Sequence, residues 1–298
     1  MIKRTLFFEN PAYLSTHLEQ LVIEFPEKEK EKKTIPIEDI GMLILDNPQI
    51  TFTQMLLVKL LQNNAAIVSC DQKHMPLGLW LNLDGHTLQS ARHKQQIESS
   101  MPLQKQLWQQ TIRVKIENQA AVLRKQGFAE ENMRYWANEV KSGDTENHEG
   151  RAAAYYWKTV FGDEGFRRDR SGLPPNNLLN YGYAILRGCM ARALVGSGLF
   201  PSFGIHHRNQ YNPYCLADDI MEPFRPYVDL QVLEIIQQFG IPEGLTTELK
   251  RELLKIPSMD VYIDGQKSPL MLAVQRSSAS LARCFEGDLR KINYPQII

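Results

Sequence analysis

No run in this chain approaches the ~20 consecutive apolar residues that a membrane-spanning helix requires, which excludes an integral helical membrane protein. The opening MIKRTLFFENP has too short an apolar core for a secretory signal, so a soluble, cytoplasmic location is expected. Cysteine is scarce. Cys70, Cys189, Cys215 and Cys284 never fall in a C-x-x-C pair. That excludes a zinc knuckle or a disulfide scaffold and predicts inert, reduced thiols. Net charge is absent, with 34 basic against 34 acidic residues, so overall charge supplies no case for a nucleic-acid or membrane partner. Residues 1–84 carry a net −3 and the remainder +3, which permits a basic groove in the second part without demonstrating one. Repeats and low-complexity tracts are also missing.

The chain has 298 residues, 43% of them hydrophobic, enough for one large or two ordinary folded domains. Up to Gly85 the patterning is strand-rich. Short apolar runs cover Thr5–Phe8, Tyr13–Leu18, Leu21–Phe25, Thr34–Ile37, Met42–Leu45, Ala65–Cys70 and Pro76–Leu81. One amphipathic helix is predicted over Thr51–Gln62, capped by Thr51 or Thr53. The block EKEKEKK, Glu27–Lys33, reads as a solvated turn because its signs cancel.

After Gly85 the composition turns helical: Leu88–Glu117 as one helix or a pair, then Ala120–Lys125, Glu130–Val140, Glu149–Phe161, Leu178–Val195, Leu216–Phe239, Thr246–Leu254 and Pro269–Glu286. The expectation is an α+β protein, with a small β-rich domain over 1–85 and a larger all-α catalytic domain over 86–298.

The stretch GIHHRNQYNPYCLADDIMEPFR, Gly204–Arg225, raises a chemical question. Asp219 and Glu222 stand at i and i+3, about 300° apart on a helix, so they share a face and repel. A helix N-terminus would relieve them, and so would a cation. Pro223 cannot donate to the carbonyl of Asp219, which predicts a bent or late-starting helix there. His206 and His207 lie in an extended return after Gly196-Ser197-Gly198, and alternation lets one of them reach a common site. Glu149 opens another helix, followed by Ala152-Ala153-Ala154, small residues that permit close approach. As a first-turn acid it could serve only the helix dipole. One histidine with two or three carboxylates would suit Mg2+ or Mn2+.

Four stretches together resemble a known family, CRISPR-associated protein one, the metal-dependent integrase of CRISPR adaptation. They are the helix start at Glu149 (EGRAAAYYW), Pro174–Tyr183 (PPNNLLNYGY), Gly204–His207 (Gly-x-x-His) and Asp219–Pro226 (DIMEPFRP, read as Asp-x-x-Glu-Pro-Phe-Arg-Pro). The Asn209-x-x-Asn212 linker looks most like members from type II systems.

The resemblance implies metal ligands at Glu149, His207 and Glu222, with Asp219 and His206 in support. It implies Mg2+ or Mn2+ as cofactor and insertion of short DNA fragments into a CRISPR array by attack of a 3′-hydroxyl on a repeat phosphodiester. It also implies double-stranded DNA (prespacer and repeat) as substrate, a homodimer through the β-rich domain, assembly with CRISPR-associated protein two into a hetero-hexamer, and the type II effector nuclease as a further partner.

With it, Arg167, Arg168, Arg170 and Arg187, together with Arg192, become candidates for phosphate contact, set against a solvated loop. Tyr181 and Tyr183 could pack in the core or stack on a base. Two other readings stay open: a structure-selective metal-dependent nuclease that does not integrate, and a helical dimer whose acids serve only helix ends.

Overall fold

The computed structural model describes residues 3–27, 30–162 and 166–298. Of the charged block at 27–33, Lys28 and Glu29 lie outside the described residues, as do residues 163–165 of the arginine-bearing loop. Contacts divide the chain into two compact units, Met1–Gly85 and His86–Ile298.

The first unit holds β1 (Arg4–Phe8), β2 (Tyr13–His17), β3 (Gln20–Glu24), β4 (Lys33–Pro36), β5 (Ile40–Leu45), β6 (Thr51–Phe52), α1 (Gln54–Gln62), β7 (Ala66–Cys70) and β8 (Pro76–Trp80). These form two sheets, ordered β1-β5-β7-β8 and β4-β3-β2-β6. In the first sheet β1, β5 and β7 run parallel, and β8 closes the edge antiparallel to β7. β5 is apolar on both faces, with Ile40, Met42, Leu43 and Ile44 buried, as an inner parallel strand requires.

Leu14, Leu21 and Ile23 from one sheet and Leu43 and Ile67 from the other share a core with Leu56 and Leu60 of α1. Thr53 is the cap that starts α1, its hydroxyl accepting from Leu56 N. Thr51 is instead strand: it pairs with Tyr13, so the helix begins later than its amphipathic pattern suggests.

The second unit holds α2 (Gln89–Ile97), α3 (Met101–Lys125), α4 (Glu131–Glu139), α5 (His148–Phe161), α6 (Asn176–Gly196), α7 (Cys215–Ile220), α8 (Arg225–Phe239), α9 (Thr247–Leu253), β9 (Asp260–Ile263), β10 (Gln266–Pro269) and α10 (Leu270–Glu286). α3 is one continuous helix where the composition suggested a break after Glu117; its apolar stripe runs on through Ile116, Ala120 and Leu123. The expectation of an all-α second domain is corrected by the β9–β10 hairpin. Its turn, Asp264-Gly265, takes positive φ at both positions (52° and 74°), the twist that a tight two-residue hairpin requires.

α6 is buried on nearly every side. It lies so close to α8 that a Cβ on Gly182 would sit 2.5 Å from Val228 Cγ1. Gly198 ends α6 with φ 71°, and Leu199 N closes back on Leu194 O. Cys189, Cys215 and Cys284 are buried and free, consistent with thiols that pack.

Candidate metal centre

Each candidate side chain is placed by a local device. α5 starts where the chain passes through positive φ at Gly143, Asp144 and Asn147. The Asn147 side chain accepts from Gly150 N, and both Asp144 oxygens accept helix amides, from His148 N and Glu149 N at 2.9 Å each. Three otherwise orphaned N–H groups of the first turn are thereby satisfied. The dipole therefore has Asp144 as its acid, and Glu149 is free to face the neighbouring α3. Of the three alanines, Ala152 is fully buried while Ala154 faces solvent.

Pro223 acts as its chemistry dictates. α7 stops at Ile220, a 3-10 turn spans Glu222–Phe224, and α8 resumes at Arg225. Asn118 of α3 holds that turn by donating to Pro223 O at 2.8 Å.

Asp219 and Glu222 then take different partners. Asp219 is fully buried and faces the histidine loop. Its Oδ2 accepts from His206 N at 2.8 Å, and its Oδ1 is hydrogen-bonded to His207 Nδ1 at 2.5 Å. His207 N also donates to the same carboxylate. Gly204 makes room for this, since a Cβ there would lie 2.5 Å from His207 O and 2.6 Å from Asp219 Oδ2. A carboxylate accepts only, so the His207 proton sits on Nδ1 and the Nε2 lone pair is left for another partner. The hydrogen bond that His207 donates to Asp219 raises the His207 pKa above its ordinary value against the opposing pull of burial. His206 instead stacks flat on Trp108, centroids 4.1 Å apart, and burial lowers its pKa.

Glu222 is buried between two cations. Arg225 Nε donates to its Oε1 at 2.7 Å, and Lys115 Nζ lies 2.5 Å from its Oε2. Burial alone would raise the Glu222 pKa, but the charges of Arg225 and Lys115 outweigh it and hold the carboxyl well below its usual range. Lys115 also donates to Glu149 Oε1 at 2.7 Å. Burial pulls the lysine pKa down, yet the attraction of Glu222 and Glu149 leaves it raised.

Glu149 and Glu222 thus converge on one point, which carries an ammonium. Among the described residues no three His, Cys, Asp or Glu side chains meet as a ready metal cluster; the position shared by the two acids is the one Lys115 fills. The donors are nonetheless of the right kind. Glu222 Oε2 is buried and takes no aligned hydrogen bond. Together with a Glu149 oxygen and the His207 imidazole it would supply oxygen-rich donors with one nitrogen, the donor types that suit Mg2+ or Mn2+.

Lys115 and Trp108 went unread in the sequence. Both occupy the buried stripe of α3. A lysine at a core-facing helical position was the available signal, since lysine is almost never fully buried unless paired.

The arginine candidates divide. Arg168 donates to Asn176 Oδ1, Asn180 Oδ1 and Asp169 O, and Arg187 forms a two-pronged pair with Asp218 at 2.7 and 3.0 Å. Both brace the chain internally. Arg192 is buried, whereas Arg167 and Arg170 are exposed. Tyr181 and Tyr183 are buried in the core, so neither offers a face to a base. Tyr183 donates to Asp229 and has the Arg225 guanidinium 4.6 Å above its ring. No helix among the described residues is long and apolar enough to cross a membrane.

The family model described as CRISPR associated protein Cas1 matches residues 6–255. The chain is 36% identical over 301 residues to the CRISPR-associated endonuclease Cas1 of Neisseria meningitidis serogroup C (strain 8013), spanning 100% of this chain and 97% of that relative. Among solved structures, a casposase bound to integration product superposes with TM-score 0.78 at 20% identity, covering 98% of this chain and 92% of the other. A Cas6-RT-Cas1–Cas2 complex superposes with TM-score 0.71 at 18% identity, covering 97% of this chain and 35% of that one. At these identities the two structures establish a shared fold.

Proposed function

This chain belongs to the CRISPR-associated Cas1 family, and on that premise we propose that it is a divalent-metal-dependent DNA integrase and endonuclease. It inserts short DNA fragments into a CRISPR array by attack of a fragment's 3′-hydroxyl on a repeat phosphodiester. The observation that carries this reading is the convergence of Glu149 and Glu222 on one cation position, beside an imidazole whose Nδ1 is committed to Asp219.

Glu149, Glu222 and His207 are the residues that would hold Mg2+ or Mn2+. Bound there, the ion supplies Lewis-acid polarisation of the phosphate and charge stabilisation at the attacking or leaving oxygen. The chain's own residues do the rest. Asp219 fixes the tautomer and tilt of His207. Arg225 holds one oxygen of Glu222, leaving the other to turn inward. His206, clamped on Trp108, supports the loop and does not ligate. Exposed Arg167 and Arg170 would contact DNA phosphates.

A second reading is a structure-selective metal-dependent nuclease that does not integrate, and the relative's printed name, an endonuclease, favours the cleavage it requires. The partners proposed are prespacer and repeat DNA, a second copy of the chain through the β-rich unit, and CRISPR-associated protein two. The Cas1–Cas2 content of one structural neighbour supports the last. The test is strand transfer of a 3′-hydroxyl oligonucleotide into a repeat-bearing plasmid with Mg2+ or Mn2+. Joined product that is lost in Glu149→Ala, His207→Ala and Glu222→Ala supports integration. Cleavage with no joined product under any partner condition supports the second reading.

A further inference from the structure

Lys115 is built into the site as closely as its acids are. It sits mid-way along the continuous helix α3, flanked on the buried stripe by Thr111, Ile112, Ile116 and Gln119. Its side chain is 10% exposed, and its ammonium lies 2.7 Å from Glu149 Oε1 and 2.5 Å from Glu222 Oε2. The other Glu222 oxygen is already held by Arg225. The only Glu222 oxygen left for a metal is therefore the one that Lys115 covers.

A small divalent ion ligated by carboxylate oxygens sits ~2.0–2.2 Å from them. An ion ligated by these two oxygens would fall in the space the ammonium now occupies. Sterics and like-charge repulsion forbid joint occupancy. The backbone of α3 is fixed by packing, so a metal would displace the ammonium only by rotation of its four-carbon stem.

We propose that Lys115 is an internal competitor for the divalent cation: a positioning residue whose ammonium holds Glu149 and Glu222 in register, and which must leave before a metal can bind. This rests on the reading of Glu149, His207 and Glu222 as metal ligands. It separates sharply from a merely structural role. A structural lysine, once removed, lets two carboxylates spring apart and weakens metal binding. A competing lysine, once removed, tightens it. The direction of the change in affinity decides between them.

The experiment is titration of the purified full-length chain with Mn2+ alone, with free Mn2+ read by electron paramagnetic resonance, for the wild type, Lys115→Met, Lys115→Arg and Glu222→Gln. Methionine keeps the length of the stem and drops the charge. Arginine keeps the charge and grips carboxylates through a fixed fork. The expected order of Kd is Met below Lys below Arg, with Lys115→Met at least tenfold tighter than the wild type. A Lys115→Met affinity within twofold of the wild type, or weaker, overturns the proposal. Should Lys115→Met fail to fold, Lys115→Arg decides: weaker binding supports competition, and equal or tighter binding overturns it. If Glu222→Gln leaves Mn2+ binding unchanged, or the wild type binds none, the metal-site reading falls and this proposal with it. If Glu222→Gln weakens binding but Lys115→Met does not tighten it, only the lysine proposal falls.

Discussion

Asp219 and His207 are joined twice, once through the side-chain contact between Oδ1 and Nδ1 at 2.5 Å and once through the His207 amide, which reaches the same buried carboxylate. One acid thus sets both the path of the loop and the face of the imidazole. Asp219→Asn keeps the shape and removes the charge. A change of this kind behind a metal-binding histidine typically costs 10–100-fold in metal affinity or activity. The expected outcome is a loss of that size in Mn2+ affinity and in strand transfer, with circular dichroism unchanged.

Gly204 is required by a close approach, since its φ is unremarkable. An added Cβ meets His207 O at 2.5 Å and Asp219 Oδ2 at 2.6 Å, neither of which can retreat without breaking the joint just described. Gly204→Ala is expected to cost about 1–3 kcal/mol by overpacking and to reduce joining well beyond that loss of stability. Chemical unfolding and strand-transfer assays run side by side measure both.

Asp229 lies outside the proposed ligand set, yet it ties together three helices. Tyr156 of α5 and Tyr183 of α6 both donate to it, at 3.0 and 2.5 Å. Burial raises its pKa to about 6, against the opposing hydrogen bonds of the two tyrosines. Because the folded pKa lies above the unfolded one, Asp229 contributes stability that is fully present below about pH 4 and is lost as pH rises through about 6. The unfolding free energy of the wild type minus that of Asp229→Asn should therefore fall between those limits by an amount on the order of 3 kcal/mol. A difference independent of pH across the window would contradict the assignment.

The arginines should separate by readout. Arg168 and Arg187 are engaged by the chain itself, so alanine at either is expected to lower the Tm and leave the salt dependence of DNA binding intact. Arg167 and Arg170 are exposed. Alanine at each should weaken DNA binding uniformly across sequences and reduce the salt slope by about 1. Fluorescence anisotropy over a salt series, paired with thermal melts, checks both halves.

Much of this was readable from spacing. Proline at position 223 foretold the interrupted helix because a missing amide leaves no alternative. The β9–β10 hairpin was missed although its signals are present. Val261 and Ile263 alternate toward the core before Asp264-Gly265, a standard tight-turn pair, but the segment is short and lies among helices. The parting of Asp219 and Glu222 could not be read, because helical spacing assumes a helix and Pro223 ends it between them. Lys115 was hidden by composition. In a Gln-, Glu- and Lys-rich helix a lysine reads as solvent-facing, and only the phase of the apolar stripe reveals that this one points inward. The arginines show the converse limit: sequence shows the charge, but only the fold shows the oxygens of Asn176, Asn180 and Asp218 that already engage Arg168 and Arg187.

Glu149, His207 and Glu222 are proposed to form one cation-dependent centre for joining DNA. The most direct measurement is strand transfer of a 3′-hydroxyl oligonucleotide into repeat-bearing DNA across a Mn2+ titration, comparing the wild type with Glu222→Gln. Glutamine preserves the shape of the buried side chain beside Lys115 and Arg225 and removes its charge. Joined product is expected to rise with Mn2+ in the wild type, to be abolished by chelation, and to fall at least a hundredfold in Glu222→Gln. Joining at wild-type levels in Glu222→Gln, or joining that persists with the metal chelated, would contradict the proposal.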